Sequence, residues 1–365
     1  MSLQCGIIGL ANTGKTTLFN CMSNVKAETS RFAFTSNKSN LGMIRVPDPR
    51  LAVLEKFQPT EKLVPAVVEI VDIPGLAKGS SEGEGMGNSF LADIRDTDAL
   101  IHVLRCFDDE NLMHIDGSVD PLRDLETLDF ELQVRDITSV EKKIQRTEKL
   151  VKAGVKDAKA AIDALHKVKQ HLESFSNIRD LDLDDNEKRH IQDLMLLTAK
   201  PVLYVLNVDD ASAVTGNAYT EKVMEFLKGH HAEGIIIAAK LEAEIADLDS
   251  EEDRREFLND AGLTEPGVDR LVRSAYSLLN LCSFFTVGPK EIKAWTIHKG
   301  MTAPQAAGVI HSDLERGFIR AEVMKYHDFI TLGSEQACKE KGKFFVEGKT
   351  YVVDDGDILH IRFNV

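Results

Sequence analysis

Three features of the sequence predict an α/β fold with a mostly parallel sheet, interrupted by a helical hairpin and followed by a small α+β module. A glycine loop, Gly9-Leu10-Ala11-Asn12-Thr13-Gly14-Lys15-Thr16, joins an apolar run (Cys5, Ile7, Ile8) to a helix-like one (Thr17 to Asn20). A second apolar run, Val67 to Val71, ends in Asp72-Ile73-Pro74-Gly75. Two later apolar runs, Pro201 to Asn207 and Gly234 to Ala239, read as further strands of the same sheet. Strands alternating with helices build a parallel sheet whose ligand sites lie at the carboxyl ends of strands.

The glycine loop has the spacing G-x-x-x-x-G-K-T between strand and helix. Such a turn aims backbone N–H groups and the positive end of a helix dipole at one point, which suits a polyphosphate. Lys15 would reach the β- and γ-phosphates, and the Thr16 hydroxyl would ligate Mg²⁺. Asn12, Thr13, Gly14 and Thr17 complete the candidate nucleotide-binding set in this turn. Arg31 to Asn40 is polar and contains Thr35 and Ser36, and an extended piece ends at Val46-Pro47-Asp48-Pro49. At the next strand end Asp72 would hold Mg²⁺ through water, and the Gly75 N–H would approach the terminal phosphate.

Lys78 to Asn88 is glycine-rich, either a surface loop or a switch segment ordered by the γ-phosphate. A helix at 89–96 and a strand at 99–105 follow. From Leu125 to Phe175 lysine and glutamate dominate. Val151, Val155, Ala158, Ile162 and Leu165 form a 4,3,4,3 apolar stripe that Val140 and Ile144 continue upstream. With Gly154 between two helical patterns, a projecting coiled-coil hairpin is the simplest reading, and a helical cap on the core is the alternative.

A helix over 185–198 precedes the strand at Pro201 to Asn207. Asn207-Val208-Asp209-Asp210 leaves that strand, and Ala238-Ala239-Lys240 leaves the next, where GTPases carry N-K-x-D and S-A-K. Val208 replaces the lysine that covers guanine, so the guanine signature is incomplete. Beyond Ser283, short strands (284–287, 292–297, 318–323, 351–353, 358–363) surround a helix-like stretch at 303–314. This spacing predicts a compact α+β module.

A chain of 365 residues exceeds one typical core. The expected division is a nucleotide domain over 1–124 and 178–282, a helical insertion over 125–177, and a C-terminal module over 283–365. No leader and no apolar run of membrane-spanning length is present, so a soluble, cytoplasmic protein without a membrane partner is expected. The five cysteines are dispersed without C-x-x-C spacing, which argues against disulfides and zinc and predicts reduced, mostly buried thiols. A net charge of −15 opposes non-specific nucleic-acid binding, leaving the nearly charge-balanced C-terminal module to face a phosphate backbone.

Taken together, these stretches resemble the YchF, or Obg-like ATPase, family of P-loop NTPases over essentially the whole chain. The likeness is carried by Gly9 to Thr17, Val46-Pro47-Asp48-Pro49-Arg50, Asp72 to Asn88, Arg105-Cys106-Phe107, and Phe284 to Val365. The last piece is similar to that family's ubiquitin-like TGS domain. The resemblance implies a Mg²⁺-dependent hydrolase preferring ATP to GTP and associating with ribosomes or ribosomal subunits. RNA or protein would meet the TGS module and helical arm, and a monomer is the simplest assembly.

The resemblance also implies site roles. Ser36 falls where the family has a switch threonine for Mg²⁺, a role Thr35 shares. Asn207, Val208 and Asp210 occupy base-reading positions, with Asp210 replacing a glutamate. Asn12 matches an asparagine associated with K⁺ near the phosphates. Leu76 stands where Ras-like GTPases carry the glutamine that orients the attacking water, and leucine cannot do so. His114 matches a histidine of the family's mobile loop thought to supply that function, against the reading of a solvated or capping loop histidine.

Three function classes follow. The chain is an ATPase whose turnover drives release from a ribosomal partner, or a nucleotide-gated binding module with incidental hydrolysis, or a GTPase of the Obg class. A metabolic kinase is disfavoured because no acceptor-substrate pocket is legible.

Overall fold

The computed structural model describes residues 3–23, 40–74 and 86–364. The chain forms two compact units, Met1–Gly42 with Glu69–Leu271, and Met43–Val68 with Val272–Val365.

The first unit is built on a six-stranded sheet of order β2-β4-β1-β5-β6-β7. Its strands are β1 (Gln4–Ile8), β2 (Asn40–Arg45), β4 (Val67–Asp72), β5 (Ala99–Arg105), β6 (Val202–Asn207) and β7 (Glu233–Ile237). β4, β1, β5, β6 and β7 run parallel. All seven residues of β5 are buried, as expected of a central strand covered on both faces. β1 lies between β4 and β5: the chain leaves β1 toward β2 on one side, and β4 later crosses over to β5 on the other. That reversal opens a crevice at the carboxyl ends of the strands, where the glycine loop begins.

Helices α1 (Lys15–Ser23), α3 (Met86–Asp96), α7 (Ala218–Gly229), α8 (Ala239–Asp247) and α9 (Glu251–Asp260) connect or flank these strands. The expected long helix at 185–198 is instead α6 (Asp185–Ile191) followed by short 3-10 turns. Met195 adopts φ +46°, which no α-helix accommodates.

The hairpin consists of α4 (Pro121–Lys152) and α5 (Ala158–Glu173). Gly154 at φ +71° ends α4, with the Val155 N–H bonded to the Leu150 carbonyl at 3.1 Å, a glycine-terminated helix stop. The seam buries Val140 and Ile144 against Leu165, Val168 and Leu172. It stops a turn short of the sequence stripe, for Val151 and Val155 are exposed at the tip. At its base α4 joins the nucleotide core: Leu128 and Leu132 pack with Ile8, Leu10 and Val71.

The second unit holds a six-stranded sheet of order β11-β10-β12-β8-β9-β3. It comprises β3 (Leu63–Val64), β8 (Leu281–Val287), β9 (Ile292–His298), β10 (Phe318–Lys325), β11 (Phe345–Glu347) and β12 (Asp357–Phe363). Helices α2 (Pro49–Phe57), α11 (Ala303–Ile310), α12 (Ser312–Arg316), α13 (Tyr326–Leu332) and α14 (Glu335–Glu340) accompany it, and α10 (Gly267–Leu278) leads into it. Phe284, Ala303, Ala306, Ala307, Val323 and Leu359 form its core. The expected strand at 351–353 is reduced to one bridge, Thr302 with Val352.

Between β2 and β4, residues 46–66 with α2 and β3 cluster with the second unit, whereas the sequence reading runs the nucleotide domain through 1–124. β3 pairs parallel with β9, Leu63 opposite Ile292. Arg50 is held by Asp48 and Asp355 at 2.8 Å each and lies over the Phe285 ring. A two-residue strand has no periodicity to read, so this placement is invisible in the sequence.

The five cysteines are buried and none forms a disulfide. Among the described residues no helix is long and apolar enough to cross a membrane.

Candidate nucleotide-binding site

The glycine loop leaves β1 in a conformation that side chains resist. Gly9 sits at φ +148°, and a Cβ there would lie 2.5 Å from the Val103 carbonyl oxygen. Gly14 sits at φ +93°, where a Cβ would collide with the Asn207 amide nitrogen. The loop therefore runs against β5 and β6 with no room for substituents, which is the close backbone approach its glycines provide.

Lys15 is buried, and its Nζ donates to the Leu10 carbonyl at 2.6 Å, curling over the loop. Burial lowers its pKa to about 8, although Asp72 pulls the other way. The Thr16 hydroxyl donates to Asp72 Oδ2 at 3.0 Å, so the loop and the end of β4 are already in contact. Asp72 Oδ1 is buried without a hydrogen-bond partner. Burial raises the Asp72 pKa, opposed by the Thr16 hydrogen bond and the Lys15 charge.

A buried carboxylate oxygen left open, next to a hydroxyl and an ammonium, fits a hard divalent cation accompanied by phosphate. Thr13 is buried with its hydroxyl on the Leu10 carbonyl at 3.2 Å, whereas Asn12, Thr16 and Thr17 are exposed at the mouth of the loop. Ser36, Thr35, Gly75 and Leu76 lie outside the described residues.

Asn207, at the end of β6, is a strut. Its Nδ2 donates to the Thr13 carbonyl at 2.9 Å, and its Oδ1 accepts the Ala239 N–H at 2.9 Å. One buried amide thus ties the phosphate loop to the start of α8.

Val208, one of the expected base-reading residues, is buried in the core. It is 2 % exposed and packs with Leu104, Cys106 and Ala238, and its N–H bonds to the Ile237 carbonyl at 2.9 Å. A lysine substituted there would enter the core. Asp209 caps the following turn through the Ser212 N–H at 2.9 Å, which leaves Asp210 exposed. Asp210 pairs instead with Lys240 Nζ at 3.3 Å, so the two sequence stretches expected near a base do converge.

His114 lies in a loop between β5 and α4. Met113, its neighbour, accepts a hydrogen bond from Asn12 Nδ2 at 3.3 Å, placing this loop against the phosphate loop. His114 itself is buried. Its Nε2 is 2.9 Å from Asp124 Oδ2, and its Nδ1 accepts the Asp116 N–H at 3.1 Å. Nδ1 accepts, so the ring is the Nε2–H tautomer. Burial raises the Asp124 pKa, with the His114 hydrogen bond opposing.

Sequence reasoning missed two residues here. Arg105 is 1 % exposed and donates to the carbonyls of Phe107, Leu112 and Asp109 at 3.1, 2.8 and 3.3 Å. It also covers the Phe107 ring, so a single buried guanidinium shapes the His114 loop. Its legible signals were a charge closing an otherwise apolar strand and its place in the Arg105-Cys106-Phe107 stretch that carries the family likeness. Asp124, in the first turn of α4, carried none.

Known proteins resemble this chain along its whole length. A family described as 50S ribosome-binding GTPase matches residues 4–237, and the YchF-GTPase C-terminal family, described as a protein of unknown function, matches residues 281–364. The ribosome-binding ATPase YchF of Haemophilus influenzae is 45% identical over 365 residues, covering 100% of both chains. That of Bacillus subtilis is 46% identical over 367 residues with the same coverage. The structure of the Schizosaccharomyces pombe YchF GTPase matches with a TM-score of 0.88 at 34% identity, covering 99% of this chain and 98% of that one. With a phosphate loop wired to Asp72 and Asn207 and full-length likeness of this order, the chain belongs to the YchF family of P-loop nucleotide-binding proteins.

Proposed function

We propose that this protein binds and slowly hydrolyses ATP with Mg²⁺ and acts on ribosomes as a nucleotide-gated regulator. The carrying observation is the contact of Thr16 with Asp72 beneath Lys15, with one buried Asp72 oxygen left open. Thr16 and Asp72 would hold the metal, which supplies charge neutralisation on the phosphates. Lys15 would leave the Leu10 carbonyl for the β/γ-phosphates, and the loop N–H groups would cradle them. Asn207 keeps the phosphate loop and the base-side loop in register.

At the base edge, a carboxylate attracts the N1–H and N2 amine of guanine and repels the bare N1 of adenine. Lys240 beside Asp210 partly neutralises that carboxylate, which favours ATP. The fit of the domain to a GTPase family supports GTP as the second reading. His114 is the proposed water-orienting residue, supported by its place one residue from the contact with Asn12. Asn12 is the proposed K⁺-associated residue, and Ser36 or Thr35 the proposed switch ligand to Mg²⁺.

Relatives of this length are named ribosome-binding ATPases, and ribosome association would place the protein in the cytoplasm. We read the C-terminal unit as the TGS module, facing RNA together with the helical arm, in a monomeric protein. Steady-state ATP turnover with and without 70S ribosomes and isolated subunits tests the proposal. Stimulation by ribosomes is expected, and identical turnover in all cases refutes ribosomal gating.

A further inference from the structure

His114 is held as a histidine at rest. With Nε2–H on Asp124 and Nδ1 capped by the Asp116 N–H, neither ring nitrogen has capacity left for a water. The side chains of His114 and Asp124 are 4% and 1% exposed. Arg123 approaches Asp124 at 3.6 Å and Asp116 at 3.7 Å, so one cation lies near both carboxylates and offsets part of their charge. Asp124 Oδ1 makes no close hydrogen bond and is faced only by the Arg123 guanidinium at 3.6 Å, so Asp124 is held less firmly than His114.

Asp124 belongs to the first turn of α4, entered through the Asp120 cap and Pro121. From there α4 runs 32 residues to the hairpin tip, about 48 Å at the usual rise. The His114 loop is thus suspended between the phosphate loop, through Asn12, and the root of the helical arm, through Asp124.

We propose that Asp124 is a positioning residue that holds His114 in a resting state, and that breaking the His114–Asp124 hydrogen bond admits His114 to hydrolysis. This rests on the reading of His114 as the water-orienting group. A carboxylate also orients the histidine of a Ser-His-Asp triad, but there the other ring nitrogen faces the reacting atom. Here that nitrogen is capped by the loop's own amide, which decides for restraint. Slow basal turnover then follows from the small released fraction, and a partner that displaces the root of α4 raises it.

The test is single-turnover ATP hydrolysis and ATP affinity for the unmodified protein, Asp124→Leu, Asp124→Asn, His114→Ala and the His114→Ala/Asp124→Leu double variant. Asp124→Leu should raise the rate about 5-fold or more at unchanged affinity, in proportion to the released fraction. Asp124→Asn retains an acceptor and should give a smaller rise, and Asp124→Leu should add nothing when His114 is absent. A fall or no change with Asp124→Leu, or a rise that survives loss of His114, overturns the restraint. Failure of the underlying reading looks different: His114→Ala then hydrolyses at the original rate. Nitrogen-15 NMR of His114 in the unmodified, nucleotide-free protein serves if the leucine variant does not fold. The Nε2–H tautomer is required, and an Nδ1–H tautomer refutes the proposal.

Discussion

Replacing Asn207 by alanine is the sharpest perturbation of the site's wiring. The residue is 3% exposed, and its amide makes two 2.9 Å bonds, to the Thr13 carbonyl and from the Ala239 N–H. Truncation orphans both backbone groups, each at about 1–3 kcal/mol when buried. A water entering the vacated amide space re-satisfies part of this and brings the expected loss to roughly 2–3 kcal/mol. The consequence is local first. Amide hydrogen exchange at Ala239 should accelerate about 30-fold or more, and the affinity for a fluorescent ATP analogue should fall about 10-fold as the phosphate loop loses its tether. Asn207→Asp separates the two halves of the strut, keeping an acceptor for Ala239 while setting a carboxylate oxygen against the Thr13 carbonyl. It should leave Ala239 protected yet weaken nucleotide binding more than alanine does. Unchanged exchange at Ala239 in the alanine variant would refute the strut.

Two predictions concern pH. Lys15 has a pKa of about 8 in the nucleotide-free protein, and bound phosphate must raise it, so binding takes up a proton wherever the free amine is neutral. ATP affinity measured by calorimetry should be flat below pH 8 as far as Lys15 is concerned. Above pH 8 it should weaken, with proton uptake visible in buffers of different ionisation enthalpy, and no uptake at pH 9 contradicts the assignment. His102, buried in β5 beside Tyr204, is lowered to about 4 from an ordinary 6.5. The unfolded chain therefore binds the extra proton between these values, and stability falls as pH drops. Between pH 7 and pH 5 the wild type should lose about 2 kcal/mol relative to His102→Gln, and parallel denaturation curves would exclude this role.

The parts of the fold legible in the sequence are those whose chemistry is local. The glycine loop demands its own spacing, and the run ending at Asp72 announces a buried strand with a polar terminus. What was illegible depends on distant partners. Val208 follows a strand buried continuously from Leu203 to Asn207, so no alternation marks which way its side chain turns. Leu63 and Val64 are too short a strand to show a period, and only the register against β9 reveals where they belong. The apolar stripe through Val151 and Val155 is real in the sequence, but packing ends before it does, because the hairpin turn intervenes. Met195 breaks a helix without glycine or proline to signal it. Asp124 and Arg105 act on a loop whose shape the sequence does not specify.

Competition of ATP and GTP against one fluorescent nucleotide, in Mg²⁺ and with Lys15→Ala as the control, measures whether the phosphate-loop site prefers ATP. Removing the Lys15 charge should weaken both nucleotides by about 3 kcal/mol or more, which ties the signal to this site. For the unmodified protein ATP should bind tighter by roughly 5- to 150-fold, the range set by one unpaired polar group at the base. Tighter binding of GTP, with Asp210 and Lys240 as they stand, would contradict ATP preference and favour the GTPase reading.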